Sequence, residues 1–526
     1  MYGTNDDTTM VAIAAGGYGG TPSPYIVNIH MLIGYILKTL YTYLPAVNWM
    51  TVTYLVMYAL AFFVIDDILA GYCGNNCDTV ITLCMTGISF YLMLSFFSFT
   101  VVAYALLTAG IMSLWAKGVT PEAVVCITLA SMMRVDVLNT AIVVLVVYSL
   151  VYGICSGEVG KPIKKIIILI LGLTGMELIS YYSNTWLLGL NDREKAFLKW
   201  GEIRSRALDC TPVPYDKGLF EAHGFSKAAY DACYGAFYYI YDAVDTEKMR
   251  LLIDWNRNRY HIHALGFIRA HFEAYTTLSY RGVWQGLFVT IIVLNLIRNN
   301  KRGRIVTLSL YVGVLIADYA YYFVGRPLLH VMMPTYLMGS LLGLFLYFNN
   351  GSVHDEKNNK KKQFVSTALI GMLTMGIIIA IHYNPAKYSM VMTEDERNNL
   401  REARQYIEDH QDKLFFALNP EVFALSVDEK MWTNRYMDNR YNLAGNWEIY
   451  SVPSNEMFED YGIDGEKPGK SAMDNYKIVF LHPHPEDFDT DNNYVIDLYW
   501  EYYDEKVHFK AVDHLSNGWG AYSLVR

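Results

Sequence analysis

Long uncharged apolar runs divide the first 382 residues, and most have the length of a bilayer crossing. A hydrocarbon core of about 30 Å takes about 20 helical residues. Trp49–Ile65, Leu138–Cys155, Val283–Ile297, Ile305–Ala317, Leu328–Phe348 and Phe364–Ile381 read as spans, as does Ile166–Tyr182, interrupted only by Glu177. Thr79–Ala116 carries no charge throughout. At about 1.5 Å per residue it would reach nearly twice across the core, so it predicts two helices turning near Ser95–Ser98. With the shorter Pro121–Met133 the pattern gives about ten crossings.

Two stretches follow another pattern. In the loop from Asn184 to Arg281, Lys195–Leu208 and Ser226–Ala243 repeat apolar or aromatic residues at three and four, as amphipathic helices do. Such helices lie on a membrane or roof a cavity. From Tyr383 the chain becomes water-soluble in character. Thr393 and the acids after it predict a helix start, with the helix running to about Gln411. Lys413–Leu418 and Tyr476–Leu481 are strand-length apolar runs, and Val507–Val512 alternates. The expected fold is therefore an α-helical polytopic membrane domain over residues 1–382, followed by an α/β domain over 383–526 with a core of its own.

Composition supports this division. The 526 residues are 53% hydrophobic and only 18% charged, against about 25% in soluble chains. Net charge is −9, and no basic face marks a nucleic-acid partner. Lys and Arg gather beside spans, at Lys117, at Lys161, Lys164 and Lys165, from Arg298 to Arg304, and from Lys357 to Lys362. Cytoplasmic loops hold such excess. Placing all four clusters inside puts residues 1–48, the 184–281 loop, the turn at Gly325-Arg326-Pro327 and everything after His382 on the outer side. Cys210 and Cys233 then share an oxidising side, where a disulfide is permitted, although two small unpaired core cysteines are the simpler reading. Cys73 and Cys77 fall on the reducing side, and a CxxxC pair supplies too few ligands for a metal. The first ten residues lack the basic region of a cleavable signal peptide.

Charged groups at membrane depth are costly and point to function. Asp66, Asp67, Arg134 and Asp136 lie near expected span ends and read first as interfacial residues. His330 is a further candidate, and Glu177, Asp318 and Arg326 are the stronger ones, each within about two turns of an outer span end and positioned for one outward-facing cavity. The N-terminal Asn5-Asp6-Asp7 places paired carboxylates just outside the membrane, able to deprotonate a hydroxyl or hold a divalent cation on a diphosphate.

That acidic pair is followed by Gly16-Gly-Tyr-Gly-Gly-Thr-Pro, an amphipathic segment, and Leu40-Tyr-Thr-Tyr-Leu-Pro-Ala-Val-Asn-Trp49. With Ser98-Phe-Thr-Val-Val-Ala-Tyr and Gly325-Arg-Pro, the chain resembles bacterial polytopic proteins of the GT-C type, the membrane glycosyltransferases that use polyprenyl-phosphate sugars. The resemblance covers most of the membrane part and stops at the tail. It implies a lipid-linked sugar donor, a saccharide or glycan acceptor, contact with membrane lipid, and catalysis on the outer face of the bacterial cell membrane. Asp6 and Asp7 take the place of the first-loop acids, as base or as ligands of a divalent cation. Arg326 falls to the donor phosphate, with Asp318, Glu177 and His330 beside it. GT-C proteins carry a span before that loop, so about 20 further apolar residues are expected upstream of Met1.

Two other functions fit the sequence. A surface-polysaccharide polymerase or ligase would draw on Arg281, His261 and His263 in the large loop. A transporter or flippase would draw on Asp318 and Glu177 as proton-coupling groups, although no internal repeat or matched pair of broken helices accompanies them.

Overall fold

The computed structural model describes the chain apart from residues 1–4, 74–75, 157–160, 190, 211, 259–263, 277–279, 325–328, 350–393, 419–431, 435–441, 446 and 484–492. Arg326, His261, His263, the Phe364–Ile381 span and the Lys357–Lys362 cluster lie outside the described residues. Two short helices open the chain, α1 (Asn5–Ala15) and α2 (Met31–Tyr43). The bundle follows as α3 (Trp49–Tyr72), α4 (Asn76–Ser95), α5 (Phe99–Lys117), α6 (Pro121–Met133), α7 (Asp136–Ser156) and α8 (Lys161–Leu188). The large loop folds into α9 (Asp192–Leu208), α10 (Lys217–Glu221), α11 (Lys227–Tyr234), α12 (Thr246–Asn258) and α13 (Ala264–Thr276). The bundle resumes with α14 (Tyr280–Arg298), α15 (Lys301–Phe323) and α16 (Leu329–Asn349).

Among the described residues, α3, α5, α7, α8, α15 and α16 are long and apolar enough to cross a membrane, and α4, α6 and α14 are shorter apolar helices. The turn in the long uncharged run falls at residues 96–98, where Ser98 accepts the Val101 N–H at 3.4 Å and starts α5. Side chains mark one end of the bundle. Lys117 meets Asp67 at 2.6 Å, Arg298 meets Asp78 at 3.2 Å, and Arg302 donates to Tyr152 Oη at 3.3 Å, which gathers these basic residues at one end. Cys73 and Cys233 are free thiols, as is Cys210, so no disulfide joins the last two.

At the opposite end sits the tail, whose described residues form a five-stranded sheet. It is built from α17 (Glu394–Asp409), β1 (Leu414–Ala417), β2 (Leu443–Ala444), α18 (Val452–Asp460), α19 (Pro468–Ala472), β3 (Ile478–His482), α20 (Tyr494–Tyr503), β4 (His508–His514) and β5 (Gly520–Val525). β1 runs parallel to β2 and β3, and β5 is antiparallel to β3 and β4. On one face Phe415, Val479 and Leu481 pack with Leu400, Ala403 and Ile407 of α17. The other face does not close within the tail, because Phe416 and Phe480 join the core of the large loop and the bundle.

The large loop supplies the plug. The expected helix over Ser226–Ala243 ends early, at Tyr234, and Ala236 takes a left-handed backbone (φ 58°). A continuous helix would present only part of the run Phe237-Tyr-Tyr-Ile240 to the core; leaving the helix buries all four side chains. Tyr239 stacks on Phe416 with ring centroids 4.0 Å apart, and its hydroxyl donates to the Ala444 carbonyl at 2.6 Å. This is the carboxyl end of β1 and β2, where open parallel sheets commonly bind ligands. Gly445 (φ 130°) lies against the Tyr239 hydroxyl, so a side chain there would be strained and would collide with it. Tyr239→Ala is expected to destabilise the loop–tail junction by about 3–5 kcal/mol. Limited proteolysis should then release the tail faster than from wild type, and unchanged proteolysis would show that the plug contributes little.

Candidate functional site

The acidic N-terminus lies where bundle, loop and tail meet. Asp6 and Asp7 stand in the first turn of α1, a short helix whose Met10–Ala15 stretch is entirely buried. Consecutive helical residues point about 100° apart. Asp7 faces the bundle and is fully buried, and its Oδ1 accepts from Tyr54 Oη and from the Phe99 backbone N–H, each at 3.0 Å. Phe99 is the first residue of α5, so the Asp7 carboxylate occupies the positive end of that helix.

Asp6 faces the tail. The Trp447 indole donates to its Oδ1 at 2.9 Å. Trp447 follows β2 by three residues, and it stacks beside Phe197 of α9, centroids 6.2 Å apart. Burial and the nearby Asp209 push the Asp6 carboxyl above the ordinary range, opposed by Arg204, the Trp447 hydrogen bond and Arg134. Arg204 lies on the buried stripe of α9 with Phe197, Trp200 and Ala207, and its Nη2 is 3.5 Å from Asp209 Oδ1. Arg134 caps α6, donates from Nη1 to Thr100 Oγ1 at 2.6 Å and lies 5.2 Å from the Phe99 ring centre. The Arg204 Nε–H is buried without a hydrogen-bond acceptor, and so is that of Arg134, whose Nε stands 3.9 Å from Asp136 Oδ2, an ion pair beyond hydrogen-bond reach. An unsatisfied guanidinium edge in a buried place is costly, and an anion seated there would remove the cost.

Below this centre, four helices meet at a hydroxyl cluster. Tyr104 donates to Thr140 at 3.0 Å, accepts from Thr335 at 3.1 Å and lies 3.2 Å from Tyr321 Oη, while Thr140 and Tyr321 are also bonded. On α15, one turn from Tyr321, Asp318 is fully buried; Tyr336 donates to it, and His271 Nδ1 lies 3.9 Å away.

The other candidates separate. Glu177 accepts from Asn139 at 2.9 Å, pairing α8 with α7, so it and Asp318 have different partners on different helices. His330 is partly exposed in the first turn of α16. Asp66 and Asp67 fall near the end of α3 away from the tail, where Lys117 pairs with Asp67. The side chain of Arg281 lies outside the described residues.

Among the described residues, no three His, Cys, Asp or Glu side chains gather as a metal site. Asp6 and Asp7 make a poor chelate, because one is turned to Trp447 and the other to Tyr54 and the α5 terminus. Arg204 is the residue the sequence reading passed over. It stands seven positions after Phe197, two helical turns along the same face, so an arginine on an aromatic stripe was its signal. Compared with protein-family models, curated proteins and solved structures, the chain matches none.

Proposed function

We propose that this chain is a membrane glycosyltransferase that moves a sugar from a polyprenyl-phosphate-linked donor to a cell-surface saccharide or glycan, using the centre formed by Asp6, Arg134 and Arg204. The observation that carries this reading is the Asp6 carboxylate in the field of two largely buried arginines, Arg204 paired with Asp209 and Arg134 with Asp136, each with a buried Nε–H that lacks a hydrogen-bond acceptor, at one end of an apolar bundle. The arginines hold the donor phosphate, for which a planar fork is suited. The acceptor oxygen attacks the anomeric carbon, the bond from that carbon to the phosphate oxygen breaks, and the polyprenyl phosphate leaves with the electron pair. Asp6 takes the acceptor's proton, a role that its raised pKa favours. Asp7 positions Asp6 by tying α1 to α3 and α5. The basic residues at the other end support a cytoplasmic assignment of that end, with this centre and the tail on the outer side of a bacterial membrane.

The buried Asp318, Tyr336 and His271 favour a second reading, a proton-coupled transporter or flippase. Transfer of sugar from a polyprenyl-phosphate donor by the purified chain in nanodiscs separates the two. Arg204→Lys keeps the charge and loses the fork, and is expected to raise the donor KM about tenfold or more with a smaller change in kcat. An unchanged donor KM would remove Arg204 from the phosphate site.

A further inference from the structure

The tail meets the membrane part at a second place, away from Asp6. The turn 45–48 between α2 and α3 holds residues 432–434. Val47 bridges Thr433, and the Asn48 N–H donates to the Trp432 carbonyl at 3.3 Å. Asn434 donates from its backbone to Ala46 O at 3.1 Å and from Nδ2 to Pro45 O at 2.8 Å. Asn48 also caps α3, an apolar helix of spanning length whose first residue is Trp49. The level of Trp432 is thereby fixed at the start of a span.

At that level the surface is apolar and aromatic. Trp432 is 67% exposed, Tyr43 78% and Leu44 55%. α2 is apolar on two faces: Ile33, Leu37 and Tyr41 pack inward, while Leu32, Tyr35 and Ile36 are exposed. The start of α2 is tied to the end of α8 by His30 Nε2 to Ser183 Oγ and Met31 N to Asn184 Oδ1, both 2.9 Å. There Tyr181, Tyr182 and Trp186 are exposed as well. Tyrosine and tryptophan rings, apolar with one polar edge, settle at the boundary between headgroups and acyl chains.

We propose that the tail is itself seated on the bilayer, with Trp432 in the headgroup layer beside Tyr43 and Leu44. The occupant of this surface is lipid because the surface continues directly into the first turn of α3 and the last turns of α8, both of spanning length. Exposed aromatics elsewhere in the tail are different: Tyr476 and Trp500 each have a lysine charge over the ring, Lys413 at 5.1 Å and Lys506 at 5.7 Å from the ring centres. This contact does not depend on the chemistry at Asp6.

The test places photoreactive benzoylphenylalanine at position 432, 36 or 476 of the full chain in nanodiscs of phosphatidylethanolamine and phosphatidylglycerol, with adducts read by mass spectrometry. All three positions are exposed, so folding should tolerate them. The expected result is phospholipid adducts at 432 and 36 in similar yield and none at 476. Adducts at 36 without any at 432, equal adducts at 476, no lipid adduct at either 432 or 36, or cross-linking of 432 to a second copy of the chain would each overturn the proposal.

Discussion

Asp6→Asn is expected to reduce sugar transfer by about 10²–10⁴-fold, the range for losing a general base. Donor binding should be nearly unchanged. The asparagine keeps the size of the side chain and an oxygen that can still accept the Trp447 indole N–H, so the cover over the site remains. What disappears is the group that receives the acceptor's proton. Asp7→Asn should behave differently, although the two residues are adjacent. Its amide oxygen still accepts from Tyr54 and from the α5 terminus, and the lost charge at that helix end is worth about 0.3–1 kcal/mol. A several-fold loss through misplacement is expected, with the pH profile unmoved. Asp7→Ala removes both hydrogen bonds and should lower thermal stability as well as activity. The split between the asparagine variants is the informative measurement, made as kcat and donor KM with purified protein in nanodiscs. Full activity in Asp6→Asn would falsify the assignment of the base, and full activity in both Asp6→Asn and Arg204→Lys would leave the transport reading standing.

The long apolar helices were legible because a bilayer sets a length for a helix that crosses it, and several uncharged runs of this chain have that length. The break near Ser98 was legible from arithmetic on Thr79–Ala116 alone. In the tail, the expected strands at Lys413–Leu418, Tyr476–Leu481 and Val507–Val512 correspond to β1, β3 and β4, since strand-length apolar or alternating runs are local signals. What the sequence could not state is which surfaces face each other. Glu177 and Asp318 lie at similar depths along their helices, yet the rotation of α8 and α15 gives them separate partners. Phe415 and Phe416 are neighbours on one strand, but alternation sends them to opposite faces, one toward α17 and the other onto Tyr239. A core shared between residues 239 and 416 depends on a contact 177 positions apart in the chain, which no local pattern encodes. The carboxylates of Asp6 and Asp7 were visible from the start, but which one the bundle buries is decided by the phase of an eleven-residue helix and by where α5 begins.

Glu194→Gln is expected to stabilise the loop–tail junction, and by more as pH rises. Glu194 stands in the first turn of α9, where Asn191 caps the helix. It is 2% exposed, and its Oε2 has no hydrogen-bond partner. Burial, reinforced by Glu456 on α18, raises its pKa from 4.5 to about 8. Glu456 is itself shifted upward by burial and by Glu459, with Lys38 opposing. It lies against Gly19, where any side chain would displace it, so the Gly-rich N-terminal loop, α9 and α18 all meet at this pair. The sign follows from proton binding. Between pH 4.5 and about 8 the folded state holds a proton on Glu194 that the unfolded state has lost. Stability is therefore greatest below the lower value and falls as pH rises through the window, by up to about 1.4 kcal/mol per pH unit. Glutamine cannot ionise, so the variant escapes this loss. Near pH 5 the two proteins should unfold within about 1 kcal/mol of each other, whereas at pH 8 the variant should be more stable by about 2–4 kcal/mol. The buried Trp200 and Trp447 give a fluorescence signal for thermal unfolding of this region, measured in nanodiscs from pH 5 to pH 9. Parallel curves for wild type and variant across that range would show that the carboxyl of Glu194 is not the titrating group.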